Sequence, residues 1–206
     1  IANGCLANQK TIGTFLTLYG DNYDGKIQMR AKNQDGSIIN YPTIFADAGL
    51  AYDQGKQMSL YCPTFDVRQI ARRNEFKYGI RHPNDTAYEE KFGNAYQMSL
   101  STPGYQEFYI LQLHRLKRAS SYIVFFDSVF YTQPQLCGAE ILNDKSSRGI
   151  HFRHNGSANV LFGDGHVASK TAYAFRGSLL SFGATKSIQI DPAVYRMQEY
   201  KHSYLF

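Results

Sequence analysis

RGIHFRHNGSANVLFGDGHVASKT, residues 148–171, has the clearest pattern of strands and turns in this chain. Asn155-Gly156 and Asp164-Gly165 are dipeptides that tolerate the positive φ angles of tight hairpin turns. The segments before, between and after them therefore predict three antiparallel strands in a meander. The segment between the two turns is the most apolar of the three, so we expect another layer of the fold to cover it.

The predicted meander has a defined register. If each loop contains two residues, His151 pairs with Val160 across the first turn, and Phe162 pairs with Val167 across the second. These pairs decide which side chains of the three strands share a face.

Two further segments have regular patterns. Residues 2–19 predict a helix, because its apolar positions recur at spacings of three, four and seven: Cys5, Ile12, Phe15, Leu16 and Tyr19. Residues 20–25 supply turn residues and glycines that end this helix. Residues 120–128, SSYIVFFDS, predict a central strand that is buried on both faces.

The remaining segments are less regular. Residues 37–41 and 76–80 predict short strands, and residues 108–118 predict a short helical or irregular stretch. Residues 82–106 are polar and rich in turn residues, which predicts a long excursion on the surface. The resulting fold class is α+β, with an amino-terminal helix packed on an antiparallel sheet.

The length and the net charge of the chain limit the classes of protein to which it can belong. A chain of 206 residues can bury a substantial core, so we expect a single domain over residues 1–206. The net charge of +5 is spread along the chain, which argues against a nucleic-acid interface. The chain contains no apolar run of about 18 residues that would span a membrane. Ile1 already lies in a helical pattern, which indicates either a processed product or a piece of a longer protein.

The chain contains three cysteines, Cys5, Cys62 and Cys137. Their spacings match no zinc motif, since no Cys-x-x-Cys is present. One interpretation is a disulfide between Cys5 and Cys62 in an oxidising compartment. The other is that all three are small buried residues.

Several polar residues were considered as metal ligands. His151, His154, Asp164 and His166 are close in sequence, but the predicted register separates His154 from Asp164 by roughly 20 Å at about 3.3 Å per residue. We therefore assign no metal ligand among them. The loop at residues 21–25 offers oxygen ligands of the kind that calcium takes, but without the EF-hand spacing, so we interpret it as a helix-ending loop.

No pattern indicates catalysis. The sequence lacks a Gly-x-Ser-x-Gly elbow, a phosphate-binding glycine loop and a His-Glu-x-x-His helix. We therefore expect neither an enzyme nor a cofactor.

The spacing of His154 to Asp164-Gly165, with NVLF before the Asp-Gly, resembles the H-x9-DG signature of type IV pilin-like and pseudopilin-like proteins with prepilin-type processing. CLANQKTIGTFLTLYGDNYDG, residues 5–25, is similar to the family segment that follows the transmembrane part of the first helix. Cys62-Pro63 and the apolar strand ending in Asp127-Ser128 are similar to further family features.

This resemblance implies a structural protein. The resemblance implies a membrane-inserted half of the first helix upstream of Ile1. Through that helix the expected subunit would be anchored to the bacterial inner membrane, or it would lie in a surface filament, with its globular part outside the cytoplasm. Other pilin-like subunits of a pilus-like filament or a type II secretion-type system would be its partners. In such a protein His154, Asp164 and Gly165 would have structural roles.

The sequence permits two other functions. A secreted surface module would bind glycans or another extracellular ligand through exposed aromatic side chains of residues 82–106. A DNA-binding minor pilin is permitted weakly by the basic charge, and it predicts salt-sensitive binding to duplex DNA.

Overall fold

The computed structural model describes residues 2–49, 62, 78–80, 93, 95–100, 105–130, 148–171 and 173–174. Within these ranges the elements follow in this order: α1 (Ala2–Asn22), β1 (Ile27–Asn33), β2 (Ile38–Asn40), α2 (Tyr41–Asp47), β3 (Gly79–Ile80), β4 (Tyr96–Leu100), β5 (Tyr105–Leu111), β6 (Ile123–Phe126), β7 (Ser128–Phe130), β8 (Arg148–Ile150), β9 (Ser157–Phe162) and β10 (Val167–Thr171). The short 3₁₀ turns Leu113–Arg115 and Ala119–Ser121 lie between β5 and β6. Helices together with antiparallel strands confirm the predicted α+β class.

α1 confirms the predicted amino-terminal helix. Its inner stripe is buried, with Cys5, Ile12 and Leu16 at most 2% exposed. The helix stops in the predicted turn, where the Gly25 amide donates to the Gly20 carbonyl oxygen at 2.7 Å. This bond satisfies a carbonyl group that the helix end would otherwise leave without a partner.

The described strands form two four-stranded antiparallel sheets and a two-stranded ribbon. The sheet orders are β2-β1-β5-β4 and β10-β9-β6-β3, and the ribbon is β7-β8. β6 lies inside its sheet, and its four residues are all buried. The prediction of a central strand buried on both faces is therefore confirmed. α1 packs on the same sheet, against β9 and β10.

The hairpin at the Asp-Gly turn forms, but its predicted register is wrong. Val167 pairs with Leu161, not with Phe162. The loop has three residues because Gly163 leaves the strand: its amide donates to the Tyr122 carbonyl oxygen at 2.8 Å. The Phe162 amide then donates to the His166 carbonyl oxygen and closes the loop. This extra loop residue shifts the register by one position.

The first turn of the predicted meander forms as expected, but the strand before it pairs elsewhere. Asn155 and Gly156 both have positive φ angles, and His154 and Ser157 form a bridge across them. The predicted pair of His151 with Val160 is wrong, because the His151 amide donates to the carbonyl oxygen of Asp127. β8 accordingly pairs with β7, while β9 pairs with β6 and β10.

Part of the predicted surface excursion is regular structure. β4 lies within residues 82–106, and it pairs with β5 at the edge of a sheet. Ala95 is fully buried and Tyr96 is 4% exposed, so the prediction of a surface excursion is wrong for these residues. β5 takes the first four residues, 108–111, of the helical or irregular stretch predicted over residues 108–118, because β1 and β4 pair with it on both sides. The rest of that stretch contains the 3₁₀ turn Leu113–Arg115, as predicted. The other residues of the excursion lie outside the described ranges.

The shorter predicted elements in the described ranges are present. β2 occupies the strand predicted over residues 37–41, and β3 confirms the end of the strand predicted over 76–80. α2 contacts both four-stranded sheets. It packs against β1 and β2 of one sheet, and its Tyr41 and Phe45 rings contact Phe125 in β6 of the other. Among the described helices, none combines the length and the apolar character that a membrane crossing requires.

Candidate metal centre

Four side chains that are far apart in sequence meet inside the fold. They are Cys5, Cys62, Asp127 and His154, and their ligand atoms all lie within 4.8 Å of one another. The two cysteines and Asp127 are at most 1% exposed, and the His154 side chain is 5% exposed. We call this group the Cys-Cys-Asp-His cluster.

α1 positions Cys5 on its buried stripe. The Tyr78 hydroxyl donates to the Cys5 carbonyl oxygen at 3.1 Å, and the same hydroxyl oxygen lies 3.2 Å from Cys5 Sγ. Tyr78 is itself held, because its own carbonyl oxygen accepts a hydrogen bond from the Tyr41 hydroxyl at 2.5 Å. The sulfur of Cys5 is thus fixed by both the helix and the residue before β3.

Asp127 lies between β6 and β7 and is held by backbone hydrogen bonds. Its amide donates to the Asn159 carbonyl oxygen at 3.1 Å, and its carbonyl oxygen accepts from the His151 amide at 2.9 Å. Its side-chain Oδ2 accepts from the Asn159 amide at 2.8 Å. These bonds fix the direction of a carboxylate that is fully buried.

His154 is positioned by the Asn-Gly turn. Reciprocal backbone hydrogen bonds of 3.0 Å join His154 and Ser157. The positive φ angles of the two turn residues place these partners opposite each other. The turn therefore fixes the backbone position from which the His154 side chain extends. The side chain then points inward to the cluster.

The contacts within the cluster are short. Cys5 Sγ lies 3.2 Å from Asp127 Oδ1 and is within range to donate to it. His154 Nε2 lies 3.4 Å from Cys62 Sγ and 3.2 Å from Asp127 Oδ2. One nitrogen of the imidazole therefore faces both the sulfur and the carboxylate.

The cluster shifts the pKa values of its members in opposite directions. A hydrogen bond to Cys62, together with burial, raises the pKa of Cys5 far above its usual range. The same bond lowers the pKa of Cys62 to about 5. Burial would raise the pKa of Cys62, but the hydrogen bond with His154 and the positive charge of Arg153 lower it further. Burial alone would lower the pKa of His154, but hydrogen bonds with Asp127 and Cys62 outweigh it and raise the pKa to about 9. The two cysteines and His154 therefore strongly influence one another's protonation.

A catalytic thiol does not fit this geometry. A Cys-His-Asp triad uses the two ring nitrogens separately, one toward the nucleophile and the other toward the carboxylate. Here Cys62 and Asp127 approach the same nitrogen, Nε2. Cys62 is also 1% exposed, so no substrate reaches its sulfur in this conformation. Metal binding and disulfide formation are two chemistries that a pair of thiols beside a carboxylate and an imidazole supports.

The structure brings together the two cysteines of the predicted disulfide. Neither forms a disulfide here, and their sulfur atoms lie within 4.8 Å of each other. A disulfide requires about 2.0 Å, so the pairing stays a prediction. Cys137 lies outside the described residues.

The H-x9-DG residues do not share one site. His154 lies in the cluster, whereas Asp164 lies at the other end of β9, as the sequence predicts. Asp164 Oδ1 accepts a hydrogen bond from the His166 amide at 3.1 Å and lies 2.6 Å from His166 Nδ1. Gly165 follows with a φ angle of 86°. These contacts give Asp164 and Gly165 a structural role in the turn.

Residue patterns in the sequence indicate no metal ligand among these four residues and do not predict the cluster. In the sequence Asp127 ends a predicted apolar strand, and Cys62 is either one half of a disulfide or a small buried residue. The sequence spacings of the four residues match no zinc motif, because the residues come from four separate segments. The sequence signal that does exist is the resemblance, whose separate stretches include all four residues.

The loop at residues 21–25 ends the helix, and Asp24 pairs there with Lys26 at 3.2 Å.

Comparisons with known proteins supply no relative. No protein-family model matches the chain, and neither a curated protein nor a solved structure is significantly similar to it. The function therefore has to be argued from the residues themselves.

Proposed function

We propose that this chain is the globular part of a pilin-like or pseudopilin-like subunit. The subunit would assemble with other pilin-like subunits into a pilus-like filament or a secretion pseudopilus. An apolar helix continuing upstream of α1 would anchor it in the bacterial inner membrane and place the sheets outside the cytoplasm. Its mechanism is packing, not catalysis.

One contact carries this proposal. The two longest stretches of the resemblance, residues 5–25 and the H-x9-DG hairpin, pack against each other. A Cβ atom at Gly13 would lie 3.0 Å from Leu161 Cδ1 and 3.1 Å from the Gly165 carbonyl oxygen. The glycine of the Ile-Gly pair in α1 thus lies directly on the Asp-Gly turn.

The cluster supports the same proposal. Each of its members belongs to a different stretch of the resemblance: the Cys-Leu start, the Cys-Pro, the Asp-Ser after the apolar strand, and the His of H-x9-DG. Because these four stretches converge on one buried point, their joint occurrence has a single structural reason. Four unrelated coincidences would not be expected to meet in this way.

The outer side of α1 is available to neighbouring subunits. Lys10, Thr11 and Thr14 are exposed, and Leu18 is 58% exposed.

The glycan-binding alternative has less support. It requires exposed aromatic side chains in residues 82–106, and the aromatic side chain described there, Tyr96, is buried. No observation in the described part of the chain favours binding to duplex DNA.

The gene sequence upstream of Ile1, together with the amino terminus of the mature protein from cells, tests the proposal. We expect a short basic leader, a peptidase junction and about 20 apolar residues that run into α1. We also expect the protein in the membrane fraction or in sheared filaments. An ordinary cleavable signal peptide with a freely secreted product would contradict the proposal and favour a ligand-binding module.

A further inference from the structure

We propose that Cys5, Cys62, Asp127 and His154 bind one Zn²⁺ ion, and that this ion fastens α1 to the sheet of β6 and β9. The site would be structural, with four protein ligands and no position for a substrate. This inference does not depend on filament assembly.

The distances suit a tetrahedral ion. Four ligand atoms at about 2.0–2.3 Å from Zn²⁺ lie roughly 3.3–3.8 Å from one another. Cys5 Sγ lies 3.2 Å from Asp127 Oδ1, and His154 Nε2 lies 3.4 Å from Cys62 Sγ and 3.2 Å from Asp127 Oδ2. With one carboxylate oxygen counted for Asp127, the four ligand atoms all lie within 4.8 Å of one another. An ion at the centre therefore requires only small side-chain movements.

The chemistry of the donors selects the metal. Two sulfurs, one imidazole nitrogen and one carboxylate oxygen form a mixed set in which the soft sulfur ligands favour zinc over calcium or magnesium. The site is buried, which matches structural zinc sites that are closed to water. Calcium would need six or more oxygen ligands, and this cluster offers at most two.

The shared nitrogen favours an ion over a disulfide. His154 Nε2 carries at most one hydrogen, yet both Cys62 Sγ and Asp127 Oδ2 approach it. A metal ion between the three atoms would satisfy all of them at once. A disulfide would join only the sulfurs, and it gives no reason for the carboxylate and the imidazole to converge on them.

The surroundings complete a metal site. The Asn159 amide orients the Asp127 carboxylate, and the Tyr78 hydroxyl lies against Cys5 Sγ. Such partners hold ligands in place around a metal. With both thiols ionised, the four ligands and Zn²⁺ carry a net charge of −1, and Arg153 supplies positive charge beside Cys62.

The test uses all 206 residues of this chain, purified with a reductant, freed of metal and titrated with Zn²⁺ and with Co²⁺. We expect one ion per chain, a visible cobalt spectrum of tetrahedral intensity and a thiolate-to-cobalt charge-transfer band. Zn²⁺ should displace the cobalt. Absence of metal uptake by the folded, reduced chain would overturn the proposal.

Variants locate the site. Cys62→Ser and His154→Gln should abolish the stoichiometric ion, whereas His166→Gln, which changes an exposed imidazole, should keep it. Because a ligand variant can fail to fold, Tyr78→Phe provides a milder change: it should weaken zinc about 10- to 100-fold, as loss of a ligand's hydrogen-bond partner does. Unchanged zinc affinity in folded Cys62→Ser would contradict the site.

The oxidation state of the natural protein separates the two chemistries. Chain isolated from cells without reductant should contain zinc, and Cys5 and Cys62 should not be joined by a disulfide. A metal-free chain in which mass spectrometry finds these cysteines joined as a disulfide would overturn the proposal in favour of a structural cystine.

Discussion

Gly13 of α1 packs so closely on Gly165 that a Cβ atom at position 13 would lie 3.1 Å from the Gly165 carbonyl oxygen. Gly20, seven residues further along the same helix, has more room, since its Cβ would meet no atom closer than 3.9 Å. The two glycines therefore form a matched pair for measuring how tightly the helix is seated on the Asp-Gly turn.

Replacing both glycines by alanine tests this contact. Alanine favours a helix over glycine by about 1 kcal/mol, so Gly20→Ala should leave stability unchanged or raise it. Gly13→Ala pushes against backbone and against buried Leu161, and overpacking of this kind costs about 1–3 kcal/mol. Urea unfolding should thus place Gly13→Ala below Gly20→Ala. Equal stability of the two variants would show that the helix moves freely away from the turn.

Removing the proposed zinc should lower the thermal stability. At a hundredfold excess of free ion over Kd, binding stabilises the native state by about 2.7 kcal/mol. For a chain of this size, that corresponds to roughly 5–11 °C in Tm. Scanning calorimetry with zinc and with a chelator measures the shift. Cys62→Ser should show the same Tm in both conditions.

The Tyr41 hydroxyl should contribute measurably to stability. It donates to the Tyr78 carbonyl oxygen beneath the cluster, and both side chains are at most 1% exposed. Tyr41→Phe leaves that buried carbonyl without this donor, which costs about 1–3 kcal/mol. Tyr23→Phe is the control, because Tyr23 is 54% exposed and should change stability by less than about 0.5 kcal/mol. A neutral Tyr41→Phe would mean that another donor replaces the hydroxyl.

The Asp-Gly turn should make a small pH-dependent contribution. Slight burial would raise the pKa of Asp164, but hydrogen bonds from the His166 side chain and amide outweigh it and lower the pKa. A carboxyl group whose pKa is lower in the folded state stabilises above its unfolded pKa of about 3.9, and this contribution disappears as the pH falls through the folded pKa. Because Asp164 is partly exposed, the effect is roughly 0.2–1 kcal/mol.

Asp164→Asn measures this contribution. The variant should be less stable than the natural chain at pH 6, and the difference should shrink as the pH falls below about 4. A difference that stays constant from pH 6 to pH 3 would assign it to the turn conformation and not to the charge.

Local patterns in the sequence predicted local structure well. The spacing of apolar residues predicted α1, the dipeptides Asn155-Gly156 and Asp164-Gly165 predicted both turns, and the apolar run predicted β6. Each depends on residues within about one element, so no knowledge of the rest of the chain is needed.

Pairing between strands was predicted less well, because it depends on distant residues. The amide of Gly163 bonds to Tyr122, 41 positions earlier, and this contact lengthens the loop. β8 pairs with β7, whose residues lie about 20 positions before it. Neither partner is visible in residues 148–171 alone.

The cluster could not be predicted from spacing for the same reason. Cys5 and Asp127 are 122 positions apart, and Cys62 and His154 are 92 positions apart. Only the folded topology places them together. In the sequence these four residues belong to separate stretches of the resemblance.

These separations also set an order of events while the chain is made. The ribosome must release residue 154 before the group that holds Cys5 can close, so the first helix emerges long before its partners exist. Until then its inner stripe has no sheet to cover it, and uncovered apolar surface of this kind is prone to aggregation. A product truncated anywhere before His154 lacks at least one of the four residues and cannot complete the cluster.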